Sequence, residues 1–329
     1  MNISVVVPVW NGREHLARLL ATLASQTRRA EEVIVVDNGS TDGAGDLAGA
    51  WGARVVRFVE NRGFAAAVNR GLAESSGELV AILNSDVLLE PRWMELLAQA
   101  LSNGKAWFAT GLILSEDGDS VDGSWDLVSK AMMPWRAGAG FPASGAEFQG
   151  NREIELASFT AILIRRELWL KVGPLDERFE SYLEDVDFGL RCLAARSGGV
   201  YIGGARCRHV GSATLGRWNG ASVRRLSRNQ LFLLWKHVPA ALRRRWWWNI
   251  FVGQALWAGV AARHGVGAAW WRGKREGWAR RHDFQQTAGL SAQQLERQER
   301  ELLALQRTFG ADSYWRWYAA LTGSGRGAE

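Results

Sequence analysis

The sequence predicts a three-layer α/β fold with a largely parallel sheet, followed by a helical extension. Three observations carry that expectation. Short β-branched, apolar runs alternate with stretches of helical spacing through residues 1–86. The runs are too uniformly apolar to have a wet face, as in strands covered on both sides. After about Arg217 the texture turns to Trp- and Arg-rich stretches that read as helices.

Each element follows from local pattern. Ile3–Val9 is a buried strand, and Asn11-Gly12 marks the turn after it. Leu16, Leu19, Leu20 and Leu23 recur at helical spacing and end near Gln26. A strand over 32–36 is closed by the turn-rich 37–43, then come a helix over 43–50 and a strand over 54–58. Residues 64–73 are helical, and 78–83 is a strand ending at Asn84-Ser85-Asp86. In a parallel sheet of this kind ligands sit beyond the carboxyl ends of the strands. The polar clusters 37–42 and 84–86 both fall there.

Residues 104–151 turn rich in Gly, Ser and Pro and read as a long loop, the kind that is functional or mobile. Residues 154–168 read as strand entering helix, 181–195 as a helix with acids in its first turns, and 200–202 as a strand. Residues 246–262 carry no charge, just short of the ~20 apolar residues a membrane span needs. Basic residues flank that stretch, and Trp270, Trp271 and Trp278 alternate with arginines. Residues 240–282 therefore read as helices in a membrane interface, against a bland alternative of a Trp-rich cap or a homodimer contact. Residues 285–306 read as a polar surface helix with Glu296 and Arg300 spaced to pair.

A hydrophobic content of 47% with 22% charged residues fits a globular core and excludes disorder. The net charge of +6 hides an asymmetry: from Ala213 onward 19 Lys/Arg stand against 7 Asp/Glu, giving +12 there and −6 before it. The acidic and basic parts are thus expected to meet different partners. Cys192 and Cys207 suggest no disulfide framework and read as reduced cytosolic thiols. The N-terminus reads as a strand rather than a signal peptide.

Four places have the residue types for chemistry. Asp37 ends a buried strand and suits a base N–H or ribose hydroxyl, although Asp37, Ser40 and Asp42 would equally close a turn and cap a helix. Asp86 at a strand tip suits Mg2+ or Mn2+, hard ions that share their shell with diphosphate oxygens; a plain polar turn is the alternative. Glu184, Asp185 and Asp187 favour a helix N-terminus, but three acids in four positions repel and raise one another's pKa, which suits a general base. His209 is either structural or a neutral imidazole ligand that completes a metal shell.

The order of these blocks resembles family 2 glycosyltransferases. Val5-Val6-Val7-Pro8-Val9-Trp10-Asn11-Gly12, Gln26-Thr27 and Val35-Val36-Asp37-Asn38-Gly39-Ser40-Thr41-Asp42 are similar to that family's opening. The block from Asn61-Arg62-Gly63-Phe64 to Asn69-Arg70-Gly71 is most similar to the rhamnosyltransferase-like branch. Leu83-Asn84-Ser85-Asp86 stands where the family has its DxD-type metal motif. Gly173-Pro174-Leu175-Asp176-Glu177 with Tyr182-Leu183-Glu184-Asp185-Val186-Asp187 resembles the acceptor-side block, and Arg208-His209, Ser212 and Arg228-Asn229 the closing segment. The likeness covers about 1–235, with 1–103 as the nucleotide-sugar half, 104–235 as the acceptor half and 236–329 as the extension.

That resemblance implies a GT-A fold, an Mn2+ or Mg2+ ion, and inversion at the anomeric carbon by single displacement. Pro8, Val9, Asn11, Asp37, Asn61, Gly63, Phe64, Asn69, Asn84 and Ser85 would line the donor site. Asp86 and His209 would hold the metal, and Asp185, with Glu184 beside it, would serve as base. The leading donor is deoxythymidine-diphosphate-rhamnose, with uridine- or guanosine-diphosphate sugars behind it; a glycan or lipid-linked acceptor and a peripheral position on the inner face of the cell membrane are expected. Neither a QxxRW motif nor a clear span occurs, so one sugar per encounter is expected. Asn84, Asn38 and Trp10 depart from the acid, second Asp and Tyr that are usual in the family. A nucleotidyltransferase would want a Gly-rich basic loop near the N-terminus, which 8–12 lacks. The non-enzymatic alternative is a membrane-surface or nucleic-acid-binding protein that works through its basic Trp/Arg part; no nucleic acid is expected of the enzyme.

Overall fold

The computed structural model describes residues 1–210, 218–284, 290–310 and 312–324. The chain divides into two compact units, one of Met1–Trp125 with Gly138–Thr214, the other of Asp126–Ala137 with Leu215–Glu329.

The first unit opens with the buried strand β1 (Ile3–Val9) and helix α1 (Arg13–Ala24), which turns Leu16, Leu19, Leu20 and Leu23 inward. Strand β2 (Glu32–Asp37), helix α2 (Ala44–Trp51), strand β3 (Arg54–Arg57), helix α3 (Phe64–Glu74) and strand β4 (Leu79–Leu83) follow the expected alternation. Then come β5 (Val87–Leu89), α4 (Trp93–Ser102), β6 (Phe108–Ser115) and β7 (Val121–Gly123). The hairpin β8 (Asp126–Val128) and β9 (Pro134–Arg136) belongs to the other unit. The chain returns with β10 (Asn151–Ile154), β11 (Ala161–Arg165), α5 (Arg166–Val172), α6 (Glu184–Ala194) and β12 (Gly199–His209).

The sheet is mixed, in the order β10-β12-β6-β11-β4-β1-β2-β3. From β4 to β3 every pairing is parallel, β12 runs parallel to β6, and β11 runs antiparallel between β4 and β6. Strands β5 and β7 add antiparallel to β12 and β6. The core packs Val5, Val7, Leu16, Leu20, Ala81 and Leu163 about the sheet.

One expectation is corrected here. The stretch 104–151 is no continuous loop, because β6 lies in the middle of the sheet, buried from Phe108 to Leu114. Gly111, which weakens its strand signal, is there for packing: a Cβ would come within 1.7 Å of the Ala205 carbonyl oxygen, where β12 shifts register between Ile202 and Arg206. Cys192 and Cys207 are buried free thiols, and burial pushes the Cys192 thiol up to about 12.

The second unit is helical around the β8–β9 hairpin. Its helices are α7 (Gly220–His237), α8 (Ala240–Arg245), α9 (Trp247–Arg263), α10 (Gly267–Ala279), α11 (Ala292–Thr308) and α12 (Ser313–Thr322). The boundary expected at 235 thus falls inside α7. Helix α10 crosses α7 closely through Gly273 and Gly277, where a Cβ would lie 2.2 Å from the Arg224 carbonyl oxygen and 2.9 Å from that of Arg228. Among the described residues no helix is long and apolar enough to cross a membrane.

Helix α11 is capped by a reciprocal Ser291–Gln294 box. It is less superficial than expected: Leu295, Leu302 and Leu303 are buried, and buried Glu299 meets Lys130 at 2.9 Å and accepts from the Tyr318 hydroxyl at 2.7 Å. Glu296 pairs with Arg245 at 3.1 Å, in place of the expected Arg300.

Candidate active site

The loops that leave β1, β2 and β4 are tied into one rim. Asn38 donates its backbone N–H to the Val9 carbonyl at 2.8 Å. Asn11, with φ at 49°, accepts from the Thr41 N–H at 2.8 Å through its side chain, and Arg13 N–H reaches Asp42 at 2.8 Å. Buried Asp37 accepts from Ser40 N–H at 2.9 Å, so the turn-closing role weighed for it is present. Buried Asn38 spans to the next loop: its amide donates to Asn61 Oδ1 (3.1 Å) and the Gly63 carbonyl (3.0 Å), and its oxygen accepts from Arg62 N–H (2.8 Å).

Gly63 sits at φ 87°, and a Cβ there would meet Glu180 O at 2.7 Å. The same contact continues as Phe64 N–H to Ser181 Oγ (3.2 Å) and Ala65 N–H to Glu180 O (3.0 Å). The donor-side loop and the segment before α6 are therefore packed backbone to backbone.

At the tip of β4, Ser85 lies beside Gly12, whose Cβ would be 3.3 Å from its Oγ. Asp86 Oδ1 stands 3.2 Å from His209 Nε2, and His209 Nδ1 stands 2.9 Å from Asp122 Oδ2. Topology brings the three together, since His209 ends β12 opposite Val87 of β5 and Ser115 of β6, and Asp122 lies on β7. Burial alone would lower the His209 pKa, but the two carboxylates outweigh it and raise it to about 9. For Asp86 burial pushes up, and the His209 contact more than offsets it, leaving the carboxyl below its usual range.

The two carboxylates favour the protonated ring of His209, so an ion on Asp86 would compete with that proton for Nε2. Among the described residues no three His, Cys, Asp or Glu side chains are grouped to hold a metal ion. The donor chemistry still fits Mg2+ or Mn2+ through Asp86 alone, because such ions accept one protein carboxylate when phosphates and water complete the shell.

Asp185 opens α6 on the same rim. Its Oδ1 accepts from Val186 N–H at 2.8 Å and its Oδ2 from Phe159 N–H at 3.4 Å. Thr160, the next residue, accepts from Asn84 N–H at 2.9 Å, so β4's tip and Asp185 are joined through the start of β11. The approach to α6 is strained: Glu180, Tyr182 and Leu183 have φ of 61°, 73° and 68°. Asp187 is buried on Arg191 at 3.1 Å and is structural; Glu184 is buried at the helix start.

Not every expected residue opens onto the rim. Pro8 and Val9 are buried strand positions. Asn69 exchanges hydrogen bonds with the Leu175 backbone (2.9 and 2.8 Å) and docks α3 on that loop. Arg228 and Asn229 are buried in α7 of the other unit. Ser212 and Arg217 lie outside the described residues. Asp122 had no sequence signal.

A sequence profile described as Glycosyl transferase family 2 matches residues 4–172, just over half of the chain. The chain belongs to that family. A relative from Mycobacterium tuberculosis named N-acetylglucosaminyl-diphospho-decaprenol L-rhamnosyltransferase is 29% identical over 244 residues, 65% of this chain and 78% of its own. Among solved structures, GalNAc-T7 with UDP, GalNAc and Mn2+ has a TM-score of 0.59 at 14% identity, over 97% of this chain and 56% of that one. A mannosyltransferase from Pyrobaculum calidifontis with GDP-Man and Mn2+ has a TM-score of 0.51 at 16% identity, over 98% and 84%. The fold is therefore GT-A, and this family 2 glycosyltransferase is an enzyme, which sets aside the non-catalytic alternative.

Proposed function

We propose that this glycosyltransferase moves one sugar per encounter, with inversion, from a nucleoside-diphosphate sugar to a glycan or lipid-linked acceptor. Deoxythymidine-diphosphate-rhamnose is the leading donor, on the likeness to the mycobacterial rhamnosyltransferase. Catalysis belongs to the first unit. What supports the reading is the chain of bonds from Asp185 through Phe159 and Thr160 to Asn84, two residues before Asp86, which His209 backs.

In this mechanism Asp185 takes the proton from an acceptor hydroxyl, whose oxygen bonds to the anomeric carbon as the bond to the diphosphate breaks. Each Asp185 oxygen accepts one backbone N–H and retains a lone pair for that proton. The loops 37–42 and 61–64 hold the nucleotide, with buried Asp37 taking a base or ribose donor. His209, held between Asp86 and Asp122, would assist at the diphosphate, either by donating to it or by lending Nε2 to the ion. Asp86 would hold Mn2+ or Mg2+, which supplies charge to the departing diphosphate. Asn84, where the family's motif has an acid, leaves one carboxylate at this tip, so weak metal binding is expected.

A lipid-linked acceptor and the +12 charge after Ala213 also support a peripheral position on the inner face of the cell membrane. The decisive experiment is a thermal-shift and hydrolysis screen of nucleotide-sugars with and without Mn2+. Stabilisation by a deoxythymidine-diphosphate sugar supports the donor assignment, and a response to none of them overturns it.

A further inference from the structure

We propose that the paired faces of α9 and α12 form the surface that seats this enzyme on an anionic lipid bilayer. The inference rests on the membrane reading above and names its surface and its lipid chemistry. Trp247, Trp248 and Phe251 on α9 and Trp317 and Leu321 on α12 are all between 41% and 62% exposed. The two helices run antiparallel, fixed by Tyr314 hydroxyl to Gly253 O (3.0 Å), Trp248 Nε1 to Leu321 O (2.9 Å) and Asn249 Nδ2 to Ser324 Oγ (3.2 Å). Trp247 and Phe251 stand one turn apart, as do Trp317 and Leu321, and Trp248 stacks on Phe251 with centroids 5.6 Å apart. The result is a continuous aromatic patch of the kind that seeks a partner or a membrane.

Charge decides between those occupants. Arg244 precedes the patch and Arg316 adjoins Trp317, both exposed, while Arg245 is already paired with Glu296. Helices α8, α9 and α12 carry no Asp or Glu, and no acid occurs in the chain between Asp187 and Glu276. Two copies docked face to face would bring arginine against arginine, and the acid that adjoins α12, Asp312, is already engaged in capping the Trp315 N–H. A bilayer with anionic headgroups answers the arginines and takes the indole rings at headgroup depth.

The expectation over 240–282 is extended here: on α10 Trp271 and Trp278 are exposed too, with Arg281 over the Trp278 ring, and α12, beyond that range, supplies half of the patch.

The test is flotation of the purified full chain with phosphatidylcholine vesicles, with and without phosphatidylglycerol. Wild type is expected to float only with the anionic vesicles. Arg244→Glu with Arg316→Glu is expected to weaken that binding by at least about tenfold, and Phe251→Ser with Trp317→Ser to abolish it at an unchanged thermal midpoint. Wild type that stays in the pellet overturns both the surface and the membrane reading. Wild type and patch variants floating equally overturn the surface alone. A dimer by light scattering that the Phe251→Ser/Trp317→Ser protein loses makes the patch a self-interface and likewise overturns the proposal.

Discussion

His209 Nε2 stands 3.2 Å from Asp86 Oδ1, and the opposite ring nitrogen stands 2.9 Å from Asp122. Asp86 is fixed by the tip of β4 and His209 by the end of β12, strands separated by β11 and β6 in the sheet. The pair therefore closes the rim only once β4, β11, β6 and β12 have assembled, which couples the proposed diphosphate site to the folding of that half of the sheet.

That coupling gives a pH dependence with a definite sign. His209 has a folded pKa of about 9 against an ordinary value of 6.5. A raised pKa means stability present in full below about pH 6.5 and lost as pH climbs through about 9. Scaled by the shift, about 3 kcal/mol is involved. Thermal midpoints in EDTA from about pH 6 to 10 should fall for wild type across this window. His209→Gln should be less stable at the acid end and show a flatter profile. Equal slopes for the two proteins would remove the ion-pair account.

Asp185→Asn removes the proposed base but keeps the oxygen that accepts from Phe159 or Val186 N–H. Transfer should drop by roughly 10²–10⁴-fold, while nucleotide-sugar binding, followed by thermal shift, stays within about twofold. A matching loss of donor binding would mean that Asp185 positions the donor instead.

How much of this was legible depends on the distance over which a signal acts. Strands β1, β2 and β4 are short, uniformly apolar runs, so local pattern finds them and the polar clusters at their ends. Strand β6 hides because Thr110 and Gly111 interrupt it, and Gly111 is required by Ala205, a residue far along the chain. Asp122 was invisible for the same reason: its partner lies 87 residues away, and nothing near Val121-Asp122-Gly123 advertises it. The left-handed backbone at Tyr182 and Leu183 carries no Gly or Asn to announce it. Asn69 stands in a matching motif, and only the structure shows that its amide also ties α3 to Leu175.

Asn38→Ala should separate loop order from catalysis. The substitution removes the partner that Asn61 Oδ1, Gly63 O and Arg62 N–H share in half-buried hydrogen bonds, while Asn61 Oδ1 keeps the Gly63 N–H. The cost should be about 1–3 kcal/mol in denaturant unfolding, with the donor KM rising several-fold and kcat less affected. Asn38→Asp should be at least as damaging, because a carboxylate would face two acceptors, Asn61 Oδ1 and the Gly63 carbonyl. A fully active, stable Asn38→Asp protein would show that the 61–63 loop does not depend on this clamp.

Gly63→Ala tests the contact between the donor loop and the approach to α6. At φ 87° an added Cβ is strained whatever the space, and here it would also stand 2.7–2.9 Å from Glu180 backbone atoms. Backbone cannot yield as a side-chain tip does, so the 180–183 segment must shift. That segment already holds three residues at positive φ, and α6 with Asp185 follows directly. The expected outcome is a stability loss of more than about 1 kcal/mol together with a fall in kcat, because the base moves relative to Asp86. Gly52→Ala is the control: it shares a positive φ of 101° but has nothing within 4 Å of its Cβ. It should lose stability through strain and keep kcat. Equal kcat losses in the two variants would assign the effect to general destabilisation and break the link between Gly63 and the α6 approach.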